Sequence, residues 1–200
     1  QKILSFRPDE NKKGKQAVPR SQQKERVSVT VLASGDPLCY GVATKLLRHL
    51  PIDEICIKPA LSTFSLICSR VGWSLPDIQT LTLHGRPMEM LHPFVQPGAK
   101  LAVLSKDSAT PKKTANLLVN RGFGKSKITV LEHLGGSKEK IFTGRANSWN
   151  HSEGADLNSM AIECVPARSA DIIPRIPGLS DDAFIHDGQL TKCEIRAVVL

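Results

Sequence analysis

The sequence predicts an α/β protein: a mostly parallel sheet with helices on its faces, then a mixed or antiparallel α/β part. Two observations predict it. Between residues 27 and 122, runs rich in Val, Ile and Leu alternate four times with helix-period segments, the pattern of successive βα units. From 127 to 165 strand-like runs follow one another across turns without helices between them, the pattern of antiparallel pairing.

In chain order, 1–26 open on an apolar patch at 3–6 and continue as a basic, polar leader, expected to be mobile. Residues 27–33 form a nearly continuous apolar run, as in a buried parallel strand. The turn Ala33-Ser34-Gly35-Asp36-Pro37-Leu38-Cys39-Tyr40-Gly41 follows. Gly35 lets backbone approach a ligand. Asp36 caps the next helix or takes a polar ligand group, and Pro37 fixes the helix entry. A helix over 40–50 ends at Pro51. Residues 54–58 read as a second strand, and Ser62 or Thr63 as the cap of a helix running to about Arg70 and closed by Gly72. A third strand covers 80–83 and a helix 88–95. A fourth strand covers 100–104, with a helix entered at Pro111 and stopped at Gly122. Strands are expected at 127–131, 140–143 and 158–165. Pro166, Pro174, Pro177 and Gly178 mark a linker over 166–179. A last helix covers 192–200, with Thr191 as a possible cap. The expected organisation is a leader (1–26), two α/β subdomains (27–104 and 105–165), the linker, and a final segment (180–200).

The formal net charge is +8. The leader alone holds eight Lys and Arg against three Asp and Glu, a net of +5. Aromatics are 4% of the chain, and none interleave with the basic cluster, so stacking on nucleic-acid bases is poorly provided for. A polyanion-binding arm is the alternative reading of the leader. No apolar run approaches the roughly 20 residues of a membrane span. The five cysteines are odd in number and lack a C-x-x-C pair, which argues against a disulfide framework and a zinc site and for a reducing compartment. A cytoplasmic homo-oligomer without metal, nucleic-acid or membrane partner is expected.

No nucleophile motif, zinc-protease motif or phosphate-binding loop is present. His84 and His133 follow strands and are site candidates beside the alternative of structural histidines. Arg86 can grip a carboxylate with its fork. The loops 34–38, 59–63, 84–87, 105–110 and 132–136 all follow strands and can share one crevice. Such a site suits a reaction in which a cofactor carries the reactive group.

The ordered set of motifs resembles the tetrapyrrole (corrin/porphyrin) methyltransferases. It comprises the turn 33–41, Pro59-Ala60-Leu61-Ser62-Thr63-Phe64, Leu83-His84-Gly85-Arg86-Pro87, the strand and loop 101–111, and Leu131-Glu132-His133-Leu134-Gly135-Gly136. The resemblance covers about 27–165. It implies a fold with the cofactor cleft between two α/β subdomains, and S-adenosylmethionine as cofactor. It further implies contacts from Gly35, Asp36 and Cys39, from Thr63 and Phe64, and more loosely from Leu104, Glu132, His133 and Met160. The implied substrate is a polycarboxylate tetrapyrrole of the precorrin type, for which Arg86, Lys106, Lys112 and Lys113 are the candidate cations. Another tetrapyrrole or a diphthine precursor is the alternative substrate. The catalytic base is unknown. This chain has Ala60 where the family usually has Gly, and the family's opening glycine-rich strand and loop do not precede residue 27. Residues 179–192 resemble the start of a second methyltransferase half seen in one branch of the family. The chain is therefore expected to be an incomplete enzyme with little activity alone.

Overall fold

The computed structural model describes residues 2–5, 29–152, 154–184 and 186–199. The basic leader from 6 onward, and the first two residues of the strand expected at 27–33, lie outside the described residues. The chain divides into two compact units, Gln1–Leu66 and Ile67–Leu200.

In the first unit, strand β1 (Lys2–Ser5) pairs antiparallel with β2 (Thr30–Ala33), Ile3 opposite Leu32. The run expected to be a buried parallel strand is thus an antiparallel partner, and Val29 and Leu32 remain more than half exposed. Helix α1 is a single turn, Ala43–Leu46, not the helix expected over 40–50. Tyr40 stands at φ 54, a left-handed conformation that no right-handed helix contains, so the helix cannot begin before it. Residues 55–57 are half-buried, and Ile55 is extended (φ −119, ψ 127). No ladder forms there among the described residues, so the expected strand at 54–58 is an extended segment. Helix α2 (Thr63–Val71) begins in this unit and ends in the next.

The second unit is built on a five-stranded mixed sheet in the order β3-β4-β7-β5-β6. Its strands are β3 (Gln79–Thr82), β4 (Lys100–Leu104), β5 (Lys127–Glu132), β6 (Lys140–Arg145) and β7 (Asn158–Glu163). The alternation of strand and helix produces a parallel ladder at β3–β4. The remaining pairs, β4–β7, β7–β5 and β5–β6, are antiparallel. β7 inserts between β4 and β5, so Met160 lies opposite Val103 on one side and Val130 on the other. The segment expected as a helix at 88–95 is a 3-10 helix, Met88–Phe94, with Pro93 inside it. Proline supplies no N–H to an α-helical ladder. Helix α3 (Thr110–Asn120) has Pro111 in its first turn, and Gly122 at φ 75 ends it. Leu101, Leu118, Phe123, Met160 and Ile162 are fully buried between α3 and the sheet. Truncating any of them to Ala costs about 2–5 kcal/mol by loss of burial and the cavity left behind.

The stretch 166–179 has no regular secondary structure, but its first half is tied down. Ala167 and Asp171 donate their N–H groups to the carbonyls of Gly122 (2.8 Å) and Arg121 (3.0 Å). The buried Arg121 guanidinium donates to His92 O (2.5 Å) and Asp171 O (2.8 Å). Gln96 Nε2 donates to Ile173 O at 2.8 Å. Farther on, helix α4 (Cys193–Val199) carries buried Arg196. Its guanidinium donates to Leu179 O (2.7 Å), Asp181 Oδ1 (2.6 Å) and Thr191 O.

Cys164, just past β7, is 1% exposed. Burial pushes its thiol up to about 12 from an ordinary 9.0. The neutral thiol is therefore the form the fold prefers. Between these values the unfolded chain sheds the proton and the folded one keeps it. The contribution is whole below about pH 9 and declines as pH rises toward 12, by at most about 1.4 kcal/mol per unit. Urea unfolding at about pH 8 and about pH 10.5 should show the stability gap between wild type and Cys164→Ala narrowing at the higher pH. A gap independent of pH would contradict this.

Candidate functional site

In the first unit, the two loops singled out in the sequence meet. The turn after β2 winds tightly: Cys39 N–H donates to Asp36 O (3.3 Å) and Ala43 N–H to Pro37 O (3.0 Å). Asp36 Oδ1 accepts the Leu38 N–H at 2.8 Å. That is an Asx turn and not the expected helix cap; the N-cap position of α1 is Val42, which makes no side-chain cap. Gly35 has φ 66, and a Cβ there would stand 3.8 Å from Leu61 O of the second loop. In that loop Ser62 Oγ accepts the Ser65 N–H at 3.1 Å, which decides the cap of α2 in favour of Ser62 over Thr63. Thr63 is half-buried and Phe64 is buried. The edge of one ring meets the face of the other where Tyr40 approaches Phe64, centroids 5.9 Å apart. The Cys39 side chain reaches Ser62. Burial, and secondarily the Asp36 carboxylate, push the Cys39 thiol up, against a smaller lowering by the Ser62 hydrogen bond. This holds Cys39 as a neutral thiol and excludes it as a ready thiolate nucleophile.

Gly41 belongs to the same turn but is absent from the residues selected as cofactor contacts. A Cβ at this position would fall 2.3 Å from Pro37 O and 2.7 Å from Asp36 O, both backbone atoms. Only glycine fits there. The signal was present in the sequence, as the residue closing the small-residue turn, but the backbone fold-over that makes it obligatory is not readable from composition.

In the second unit, Leu104, Glu132 and His133 lie where β4 and β5 end and antiparallel β7 begins. Leu104 pairs with Ser159, and Glu132 with Asn158. Ser105 N–H donates to Asn158 O (3.4 Å), and His133 N–H to Leu157 O (3.0 Å). Asn158 Nδ2 donates to Asp107 O (3.0 Å) and Ala155 O (2.8 Å), tying the loop after β4 to the loop before β7. Glu132 is 7% exposed, and its Oε1 accepts the Ala155 N–H at 2.8 Å. A Cβ on Gly154 would land 1.7 Å from that oxygen. His133 stands at φ 47. Glu132, His133, Lys138, Lys140 and Ala155 line an open depression of about 440 Å³. Met160 is fully buried in the core beneath these strand ends.

The candidate cations are dispersed. Lys106 and Lys113 flank Asp107, whose carboxyl is held below its ordinary value chiefly by a hydrogen bond from Thr110 (2.8 Å). Lys112 lines a small, partly open cavity with Glu132, Phe142, Trp149 and His151. Arg86 lies in the exposed turn after β3, its N–H on Leu83 O at 3.2 Å. Sequence reasoning did not select Ser105 or Asn158. Ser105 Oγ and Asn158 Oδ1 are buried with no hydrogen-bond partner among the described residues. Leaving such atoms unpaired costs about 1–3 kcal/mol each, a cost that a water or a polar ligand at this strand end would relieve. A strand end offering an acceptor, a hydroxyl and a carboxylate fits a small polar ligand. Among the described residues no cluster of His, Cys, Asp and Glu could hold a metal ion, and no helix is long and apolar enough to cross a membrane.

This arrangement, tight turns after strands and a site of backbone groups without an activated nucleophile, is matched by a protein family. Residues 3–148 match the tetrapyrrole (corrin/porphyrin) methylases, and the chain belongs to that family. It is similar to a precorrin-6Y C(5,15)-methyltransferase [decarboxylating] of Sinorhizobium sp, 44% identical over 172 residues, covering 86% of this chain and 42% of the relative. It is also similar to a cobalt-precorrin-7 C(5)-methyltransferase of Salmonella typhimurium, 32% identical over 113 residues, covering 56% of this chain and 55% of the relative. Among solved structures the methyltransferase CobJ shares the fold, with a TM-score of 0.53 and 17% identity over 66% of this chain and 62% of that one. The chain thus spans less than half the length of its precorrin-6Y relative.

Gly41→Ala should destabilise the chain by at least about 2 kcal/mol more than Gly72→Ala. Gly72, unlike Gly41, has positive φ, but a Cβ there meets nothing within 4 Å, leaving only the backbone strain of about 1 kcal/mol. Denaturant unfolding of both variants checks this; equal losses would mean that the Pro37 turn relaxes freely.

Proposed function

We propose that this chain binds S-adenosylmethionine and takes part in methylating a ring carbon of a precorrin in cobalamin biosynthesis. The observation that carries the reading is the meeting of the loops 34–41 and 59–65 in a chain of this family, through Gly35 and Leu61, Cys39 and Ser62, and Tyr40 and Phe64. When bound, the cofactor supplies a sulfonium methyl group for in-line attack by an electron-rich carbon. The residues supply position. Gly35 presents bare backbone, Asp36 and Thr63 offer polar groups, and Cys39 offers apolar surface in a loop anchored by the buried Phe64. Within the second unit, Leu104, Glu132 and His133 offer cofactor contacts of their own at the ends of β4 and β5. The apolar surface at Cys39 would suit a reaction in which a sulfonium charge is lost. Arg86, Lys106, Lys112 and Lys113 meet the substrate's carboxylates. The neutral Cys39 thiol takes no covalent part.

Calorimetry with S-adenosylhomocysteine on the full-length protein tests this. Wild type should bind, and Gly35→Val should lose at least about tenfold in affinity, since its φ of 66 and its face toward Leu61 O suit no branched side chain. Normal binding by that variant would reduce the loop to a turn. Product analysis with a precorrin-6Y-type substrate and with uroporphyrinogen addresses the acceptor: methylation of uroporphyrinogen alone would remove the precorrin assignment.

A further inference from the structure

Helix α2 ends close to Arg70, whose guanidinium forks onto Glu139. Nε donates to Oε1 at 2.6 Å and Nη2 to Oε2 at 3.1 Å, while Nη1 donates to Ser69 Oγ at 3.1 Å. The same Glu139 Oε2 accepts the Gly135 N–H at 2.7 Å. The loop between them is closed by its own backbone: Gly136 N–H donates to His133 O (2.9 Å) and Glu139 N–H to Gly136 O (3.1 Å). His133, at the head of this loop, is held left-handed, a conformation that a residue with a Cβ adopts only under constraint. The loop forms part of the wall of the 440 Å³ depression, beside Glu132.

An ion pair with side chains 37% and 20% exposed contributes little to global stability. What a bidentate fork supplies is direction. Mutual hydrogen bonding holds the Glu139 carboxyl below its ordinary value and Arg70 above its own, and the Gly135 N–H further lowers Glu139. Both partners are charged throughout the neutral range, so the fork is a permanent fixture of this loop.

We propose that Arg70 and Glu139 are positioning residues that set the shape of the loop 133–139 and so present Glu132 and His133 for cofactor binding. The inference rests on the reading of this strand end as part of the S-adenosylmethionine site. It assigns Glu139 two separable duties, to Arg70 and to Gly135. Glu139→Gln keeps an oxygen for the Gly135 N–H but loses the charge. Arg70→Lys keeps the charge but loses the fork. Glu139→Ala loses both duties.

The test measures S-adenosylhomocysteine affinity in the full-length protein together with hydrogen exchange of the peptide 131–141. Glu139→Ala should weaken binding about tenfold and speed exchange by a similar factor. Glu139→Gln and Arg70→Lys should fall between it and wild type, with melting temperatures within a few degrees of wild type. Faster exchange with unchanged affinity, or no change in either, overturns the inference while leaving the functional reading intact. If Glu139→Ala does not fold, wild-type affinity in both conservative variants overturns it. A wild-type protein that binds no S-adenosylhomocysteine overturns the functional reading itself, and the inference with it.

Discussion

Both edges of β7 must be hydrogen-bonded, and the second unit is arranged around that requirement. The strand runs Asn-Ser-Met-Ala-Ile-Glu with its four middle residues buried, so any N–H or C=O left unpaired there would be lost to water. The ladders to β4 and β5 satisfy the strand on both sides. Because β7 runs antiparallel to both, its beginning lies beside the ends of both neighbours. That juxtaposition brings the loops after β4 and β5 together at Asn158, whose amide then ties Asp107 to Ala155. The strand that fills the sheet also assembles the strand-end site.

Much of the second unit was legible in the sequence because its signals are local and redundant. β4 is an apolar run bounded by turns, and α3 carries Pro111 at its start and Gly122 at its end. The antiparallel character of the region after 127 followed from the lack of helices between strands. Elements that failed did so for reasons outside their own residues. Residues 55–57 have strand composition, but a strand exists only when a partner offers a ladder. Residues 88–95 have helix composition, but Pro93 removes a donor and tightens the segment to a 3-10 helix. Residues 27–33 read as buried, whereas β2 pairs with β1 and keeps Leu32 exposed.

The site was legible at the level of loops and less so at the level of atoms. Gly35, Cys39 and Phe64 stand out in the sequence because turn chemistry and family resemblance point to the same loops, and in the structure those two loops meet. Gly41, Ser105 and Asn158 were not found. Their importance lies in what the rest of the chain does around them: a carbonyl folded back onto a missing Cβ, and two polar atoms enclosed without partners among the described residues. Spacing along a sequence carries no trace of such enclosure. Met160 shows the converse: a residue carried over as a looser cofactor contact sits wholly within the core.

The docking of 166–173 changes where the folding unit stops. Proline-rich composition suggests a hinge, and a domain boundary drawn at 165 would look natural. Arg121 argues otherwise, since one of its two carbonyl acceptors, Asp171 O, lies beyond that cut. A domain trimmed there would retain a sequestered cation with part of its solvation stripped away, a defect worth several kcal/mol in a buried setting. The stretch that begins at Pro166 therefore acts less as a joint than as a strap, and it still touches the body of the unit at Arg175, whose guanidinium lies 5.0 Å from the Phe94 ring.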